Sequence, residues 1–273
     1  MDTKAKETRL NEALLSLDKV VVAFSGGVDS TFLAAAAKRV LGDKAVLATA
    51  YSPTSSEQEK RDTETLVDKL GMKHVWLPAT ELDNPLFIAN TAERCYFCKK
   101  GRFGGLVAWA KEQGFAWVIE GTNADDLTDY RPGMKAIAEL DAVKSPLLEA
   151  GFSKAEIRAV SREWDLPTWD KPSAACLVSR LAYGLEITPE RLKQVDEAEQ
   201  VVRQFIKGQV RVRHHGDLAR VEVSPDGIGV LAQPDTAAAI ASGLKKLGFT
   251  FVTLDLAGYR TGSMNEMLDE VQG

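Results

Sequence analysis

Residues 20–41 read VVVAFSGGVDSTFLAAAAKRVL, and the order of residue types along this stretch decides the fold. Val20 to Phe24 is a short unbroken apolar run, the pattern of a strand buried on both faces of a parallel sheet. Thr31 to Leu41 follows with apolar residues at helical spacing. Between them lies SGGVDS, Ser25 to Ser30. A glycine-rich turn that leaves a strand and enters a helix points backbone N–H groups outward at a helix N-terminus, where they hold phosphate. Gly26 and Gly27 let the main chain close on such an anion. The spacing excludes GxxxxGK followed by Ser or Thr, and it lacks the third glycine of a dinucleotide fingerprint. The plain alternative is a glycine-containing turn that binds nothing.

Working outward, apolar β-prone runs continue to alternate with amphipathic stretches. Ala45 to Ala50 reads as a strand, Ser56 to Leu70 as a polar-faced helix ended by Gly71, and His74 to Leu77 as a strand. Arg102 to Gln113 reads as a helix and Ala116 to Glu120 as a strand, followed directly by GTNADD, Gly121 to Asp126. This rhythm predicts an α/β domain over residues 1–170, a doubly wound, mostly parallel sheet with ligands at the carboxyl ends of its strands. It breaks at LPTWDKPSAAC, placing a linker near residues 167–187. Residues 171–273, linker included, form a smaller α+β domain: a helix from Pro189 to Phe205, then VRVRHH, LARVEV, a helix from Thr236 to Leu247 and FTFVTLDL. That order predicts a mostly antiparallel sheet.

Composition sets the chemical surroundings. A chain of 273 residues, 45% hydrophobic and 27% charged, has ample material for a core. The opening MDTKAKETRL is charged and carries no apolar signal region, and no apolar run is long enough to cross a bilayer, so a cytoplasmic protein is expected. The net charge of -5 argues against a nucleic-acid partner. Three cysteines, Cys95 and Cys98 as CxxC and Cys176 alone, point in a reducing cytosol to metal, cluster or redox chemistry rather than a structural disulfide. Zinc bound by thiolates and a redox pair with an unrelated Cys176 both stay open.

Two further patterns bear chemistry. Asn123 can orient a ligand, while Asp29 with Asp125 or Asp126 offers carboxylates to Mg2+; the bland reading makes Asp125 and Asp126 helix caps. Arg211 and Arg213, two residues apart on a strand, share a face and can clamp one phosphate, against the alternative of a solvated charged strand. Lys99 or Lys100 can offset phosphate charge, or simply face solvent.

SGGVDS resembles the PP-loop, SGGxDS, of the ATP pyrophosphatase superfamily, whose members cleave ATP between the α and β phosphates and activate a carboxylate or carbonyl as its adenylate. The resemblance implies that Ser25, Gly26, Gly27, Asp29 and Ser30 hold ATP, with Gly121, Asn123 and Asp125 against the nucleotide. Taken together, SGGVDST, CYFCK, GTNADD, DYRPGMKA, KSPLLEAGFSK, CLVSR, RVRHH and LDLAGYRTG are similar over nearly the whole chain to the LarE family. These are ATP-dependent sulfur transferases that help build the nickel-pincer nucleotide cofactor. The likeness implies adenylation and sulfuration of pyridinium-3,5-biscarboxylic acid mononucleotide. It also implies a homo-oligomer, sulfur delivery at Cys176, and catalytic parts for Asp29 and Glu199. Ser179, Arg180, Arg211 and Arg213 would form the substrate phosphate site.

Family members with a single cysteine give up their own sulfur and keep dehydroalanine. The three-cysteine kind is implied to hold a 4Fe-4S cluster through Cys95, Cys98 and Cys176, with CxxC supplying two ligands from one loop and sulfide or another sulfur donor reloading it. Rival readings are a PP-loop tRNA thiolase, an amide-forming ligase, and a nucleotide-binding or cluster-carrier protein without chemistry of its own.

Overall fold

The structure is a computed structural model that describes residues 2–128, 132–172 and 175–266. Asp129, Tyr130 and Arg131 of DYRPGMKA, and Ser173 and Ala174 before Cys176, lie outside the described residues. In chain order the elements are α1 (Thr3–Ser16), β1 (Val20–Ala23), α2 (Val28–Leu41), β2 (Ala45–Tyr51), α3 (Glu57–Leu70), β3 (His74–Pro78), α4 (Pro85–Ile88), α5 (Arg94–Glu112) and β4 (Trp117–Ile119). They continue with α6 (Pro132–Ala138), β5 (Val143–Lys144), α7 (Pro146–Ala150), α8 (Lys154–Glu163), α9 (Pro189–Arg203), β6 (Val210–His215), β7 (Leu218–Val223), α10 (Pro225–Leu231), α11 (Pro234–Lys246) and β8 (Phe251–Leu254). The chain forms two compact units, Met1–Glu81 with Cys95–Ala174, and Leu82–Arg94 with Ala175–Gly273. Among the described residues no helix is long and apolar enough to cross a membrane.

In the first unit five strands form an all-parallel sheet in the order β3-β2-β1-β4-β5. Both faces are covered, which is why its central strands read as unbroken apolar runs. Val20, Val22, Leu47 and Ile119 point into one cluster with α1, α2 and α8. Val21, Ala48, Val118 and Val143 point into another with Phe103 and Leu106 of α5. The alternation is the period-two geometry of a strand. Helix α2 is almost wholly buried, and its four alanines, Ala34 to Ala37, allow close approach to the sheet. Phe32 anchors it against Phe152 and Trp164, with ring centroids 5.4 and 4.9 Å away. Phe32→Ala would cost about 3–5 kcal/mol.

The strand order reverses between β1 and β4, so the crevice at their carboxyl ends is the switch point where open α/β sheets take ligands. The loops that leave these two strands are SGGVDS and GTNADD.

The second unit has a three-stranded sheet, β6-β7-β8. The expectation of a mostly antiparallel sheet holds for β6 with β7 only, because β7 and β8 are parallel. Two helices, α10 and α11, separate β7 from β8, and such a crossover returns the chain in its original direction. Their core combines Ala198 and Val202 of α9 with Val212, Val221 and Val223 of the sheet and Ile240 and Leu244 of α11.

Candidate functional site

The SGGVDS turn is shaped by its own side chains. Ser30 Oγ donates to the carbonyl of Gly27 at 3.2 Å and accepts from the Ser25 N–H at 3.3 Å, while the two serine hydroxyls lie 3.1 Å apart. Gly26 has φ of 67°, and a Cβ there would come within 3.1 Å of Thr63 Oγ1. Gly27 caps α2 without any side-chain hydrogen bond. The first N–H groups of a fourteen-residue helix are therefore left to an anion.

GTNADD packs beside it. A Cβ on Gly121 would lie 3.1 Å from the Ser30 nitrogen and 3.2 Å from the Asp29 carbonyl carbon, so only glycine fits unstrained. Asn123 is buried and donates to Asp29 Oδ1 at 3.5 Å, while its own Oδ1 accepts the Asp125 N–H at 3.0 Å. Asp126 accepts the Asn123 N–H at 3.0 Å, and Asp125 accepts the Lys154 N–H at 2.9 Å. Both carboxylates thus brace local backbone, and Asn123 ties Asp125 to Asp29.

Two lysines that sequence reasoning missed flank the phosphate turn. Lys154 Nζ lies 2.5 Å from Asp29 Oδ2, and Lys171 Nζ donates to the Gly26 carbonyl at 3.1 Å. The signal for Lys154 lay in KSPLLEAGFSK. Ser145 of that stretch bonds buried Glu120 at the end of β4, and Ser153 closes a capping box with Glu156 that starts α8 at Lys154. The segment is a brace that aims one ammonium at Asp29. Lys100, considered above for phosphate, instead meets Glu139 at 3.0 Å and the Tyr96 hydroxyl at 2.9 Å.

Cys95 and Cys98 sit in the first two turns of α5 rather than in a loop. Gly101, Gly104 and Gly105 weaken the helical signal of this segment, which is why the helix was expected only from Arg102. Residues three apart on a helix share a face, so the two thiols stand side by side. Cys95 is exposed, Cys98 half-buried, and neither is in a disulfide. One turn further on the same face, Arg102 donates to Glu81 at 2.8 Å and Thr54 at 2.6 Å. Glu81 is buried, and Ser52 also bonds it. This network fixes α5 against the ends of β2 and β3.

In the second unit Cys176 is exposed and opens a 3-10 turn over Leu177–Arg180. Arg180 is buried and donates to the carbonyls of Ala175 and Cys176 at 2.5 and 3.1 Å, and to Glu199 Oε1 at 2.8 Å. Burial opposes the charge of Glu199, but Arg180 and then Arg203 outweigh it and hold the carboxyl below the usual carboxylate range. Glu199 is thus an ionised anchor that aims Arg180. Ser179, Arg211 and Arg213 line a cavity of about 110 Å³ with Arg94, Tyr259 and Ser263, while Arg180 is not part of the lining and donates to Ser179 Oγ at 3.1 Å. Arg213 is answered by Glu222 at 2.7 Å, whereas among the described residues Arg211 donates to the Val210 carbonyl, also at 2.7 Å.

Among the described residues no three His, Cys, Asp or Glu side chains are gathered as a metal site. The donors themselves suit iron and sulfide: exposed or half-buried thiols outside any disulfide, two of them on one helix face.

Comparison with known proteins agrees with this geometry. A model of the NAD synthase family matches residues 7–93, the segment that contains the phosphate turn. An uncharacterized protein of Synechocystis sp. is 41% identical over 97% of this chain and 98% of its own length. The pyridinium-3,5-bisthiocarboxylic acid mononucleotide synthase of Lactiplantibacillus plantarum is 37% identical over 98% of this chain and 96% of its own. The tRNA-specific 2-thiouridylase MnmA of Azorhizobium caulinodans is 26% identical over 78% of this chain. With such identity along almost the whole of two relatives, and a phosphate turn at the switch point of its sheet, the chain belongs to the LarE family of PP-loop, ATP-dependent sulfur transferases.

Proposed function

We propose that this enzyme converts the carboxylates of pyridinium-3,5-biscarboxylic acid mononucleotide to thiocarboxylates in the cytoplasm, as a step of nickel-pincer nucleotide biosynthesis. The observation that supports this most is the cavity of the second unit. Ser179, Arg211 and Arg213 line it, and Arg180 ties the same turn to the carbonyl of Cys176, so an anion receptor and a thiol share one short segment.

A substrate carboxylate oxygen attacks the α-phosphorus of ATP, the bond to the bridging oxygen breaks, and pyrophosphate departs. Ser25 to Ser30 receive that pyrophosphate, and Lys154 and Lys171 offset its charge. Asp29, with Asp125 or Asp126, would hold Mg2+, which neutralises phosphate oxygens. Sulfur delivered at the Cys176 turn adds to the acyl carbon, and AMP leaves with the electron pair of the broken C–O bond. Cys95, Cys98 and Cys176 would hold a 4Fe-4S cluster, which with three thiolate ligands keeps one iron open for sulfide.

The test is anaerobic incubation of the full-length enzyme with ATP, the biscarboxylic mononucleotide and sulfide. AMP, pyrophosphate and thiocarboxylate should form in step, with more than one product per chain and the mass of Cys176 unchanged. ADP as the substrate-dependent product would overturn the adenylation. One product per chain with dehydroalanine at position 176 would replace the cluster by self-sacrifice.

A further inference from the structure

We infer that Arg94 is a specificity-determining residue that makes the cavity of the second unit select a phosphomonoester dianion over singly charged anions. The inference rests on the reading of that cavity as the substrate's phosphate site. It starts from a charge imbalance. Three guanidinium groups line the cavity, those of Arg94, Arg211 and Arg213, and all three are at most 8% exposed. Arg213 is matched by Glu222, itself buried. The other two have no carboxylate partner among the described residues.

Arg94 donates to Asn90 Oδ1 at 2.5 Å and stacks on Tyr183, with its guanidinium carbon 4.1 Å from the ring centroid. Asn90 is fully buried, and its amide is used by the carbonyls of Ala182 and Leu185, both at 2.8 Å. The amide oxygen is thus fixed, and so is the guanidinium it holds. Among the described residues Arg211 donates to the Val210 carbonyl and lies 5.3 Å from the ring centroid of Tyr259. Burial, and after it the charge of Arg180, push Arg211 below its ordinary range, while the carboxylate of Glu199, already paired with Arg180 and Arg203, opposes that push from a distance. Neutral groups make the direct contacts to these two cations, Glu199 offsets Arg211 only from a distance, and buried charge without a paired counter-charge is costly.

Two cations without an ion pair among the described residues thus face one small space. A cavity of about 110 Å³ is far below the several hundred cubic ångströms of a whole-ligand pocket, so it takes one terminal group. A phosphomonoester has a second pKa of about 6 and carries close to two negative charges at neutral pH. A phosphodiester carries one. Planar guanidinium forks fixed on Tyr183 and Tyr259 suit the paired oxygens of a phosphate.

The experiment is calorimetric titration of full-length protein with nicotinic acid mononucleotide and with its phosphate methyl ester. Wild type should prefer the monoester by about tenfold or more. Arg94→Met should weaken the monoester about tenfold to a hundredfold and leave the methyl ester within about threefold, so that the preference collapses. Arg94→Lys, which keeps charge and stem if the Met variant folds poorly, should retain part of it. Monoester affinity should climb between pH 5.5 and 7.5 in wild type and stay flat in Arg94→Met. A merely structural Arg94 would weaken both ligands alike. Preserved preference in Arg94→Met, with Arg211→Met losing the monoester, would overturn the role of Arg94 and keep the phosphate site. Wild type without affinity for the monoester, or unchanged affinity in both Arg211→Met and Arg213→Met, would overturn the site itself.

Discussion

The ammonium of Lys154 lies 2.5 Å from the carboxylate of Asp29, in a chain where no lysine belongs to the phosphate turn itself. Both side chains are partly open to solvent, 33% and 24%, so the pair is worth about 1 kcal/mol or less to stability. Its value is positional: Lys154 balances Asp29 while the site is empty and stands within reach of phosphate when ATP enters. Lys154→Met should shift thermal unfolding by no more than a few degrees yet weaken ATP binding about tenfold, the worth of a charged hydrogen bond. Calorimetry showing ATP affinity unchanged, alongside a large loss of stability, would reverse that assignment.

Gly121→Ala tests the packing of the two loops at the switch point. The new methyl would press on the Ser30 nitrogen and the Asp29 carbonyl carbon, which are backbone atoms and cannot swing aside. Overpacking of this kind costs about 1–3 kcal/mol, and the strain falls on the first turn of α2. ATP binding should drop steeply while far-UV circular dichroism stays native. Wild-type affinity in this variant would show that the phosphate turn tolerates displacement.

Arg211 and Arg213 are equivalent in the sequence pattern and unequal in the fold. Glu222, fully buried, receives Arg213 at 2.7 Å, Arg220 at 3.3 Å and the Ser263 hydroxyl at 2.8 Å. Arg213→Ala breaks a buried pair and should cost about 3 kcal/mol besides any loss of substrate affinity. Arg211→Ala removes a charge that has no ion pair among the described residues and only the more distant attraction of Glu199, so its stability cost should be smaller and its main effect a raised KM. Chemical denaturation of the two variants, beside their kinetics, separates these outcomes; equal destabilisation would mean that Arg211 has a structural partner after all.

The elements that were legible in the sequence are those whose signal is local. The apolar run at Val20 and the glycines after it carry their signal within a few residues. Lys154, Lys171 and Arg94 do not, because an isolated lysine or arginine looks like surface until tertiary packing brings it to Asp29, Gly26 or Tyr183. Short elements were lost for a related reason. Strand β5 has two residues, and α10 contains Gly227 and Gly229, so neither presents a period to read.

His214 supplies a prediction about pH. It is buried on β6, its Nε2 meets Gln194 Oε1 at 2.8 Å, and its Nδ1 has no hydrogen-bond partner among the described residues. That arrangement suits a neutral imidazole whose Nε2–H donates. Burial first, then the charges of Arg191 and His215, lower its pKa to about 4 from 6.5. The unfolded chain takes up the proton near pH 6.5 and the folded chain resists it until about 4. The stabilising contribution is therefore complete above pH 6.5 and lost as pH falls toward 4, on the order of 3 kcal/mol. His214→Phe keeps the ring against Phe249, 5.0 Å away, and removes the titrating nitrogen. The variant should start less stable at pH 7.5 through the lost Gln194 bond, and its urea midpoint should change less than that of wild type between pH 6.5 and 4. An NMR titration in which the His214 ring protonates near 6.5, or parallel pH profiles for the two proteins, would remove this group as a source of acid sensitivity.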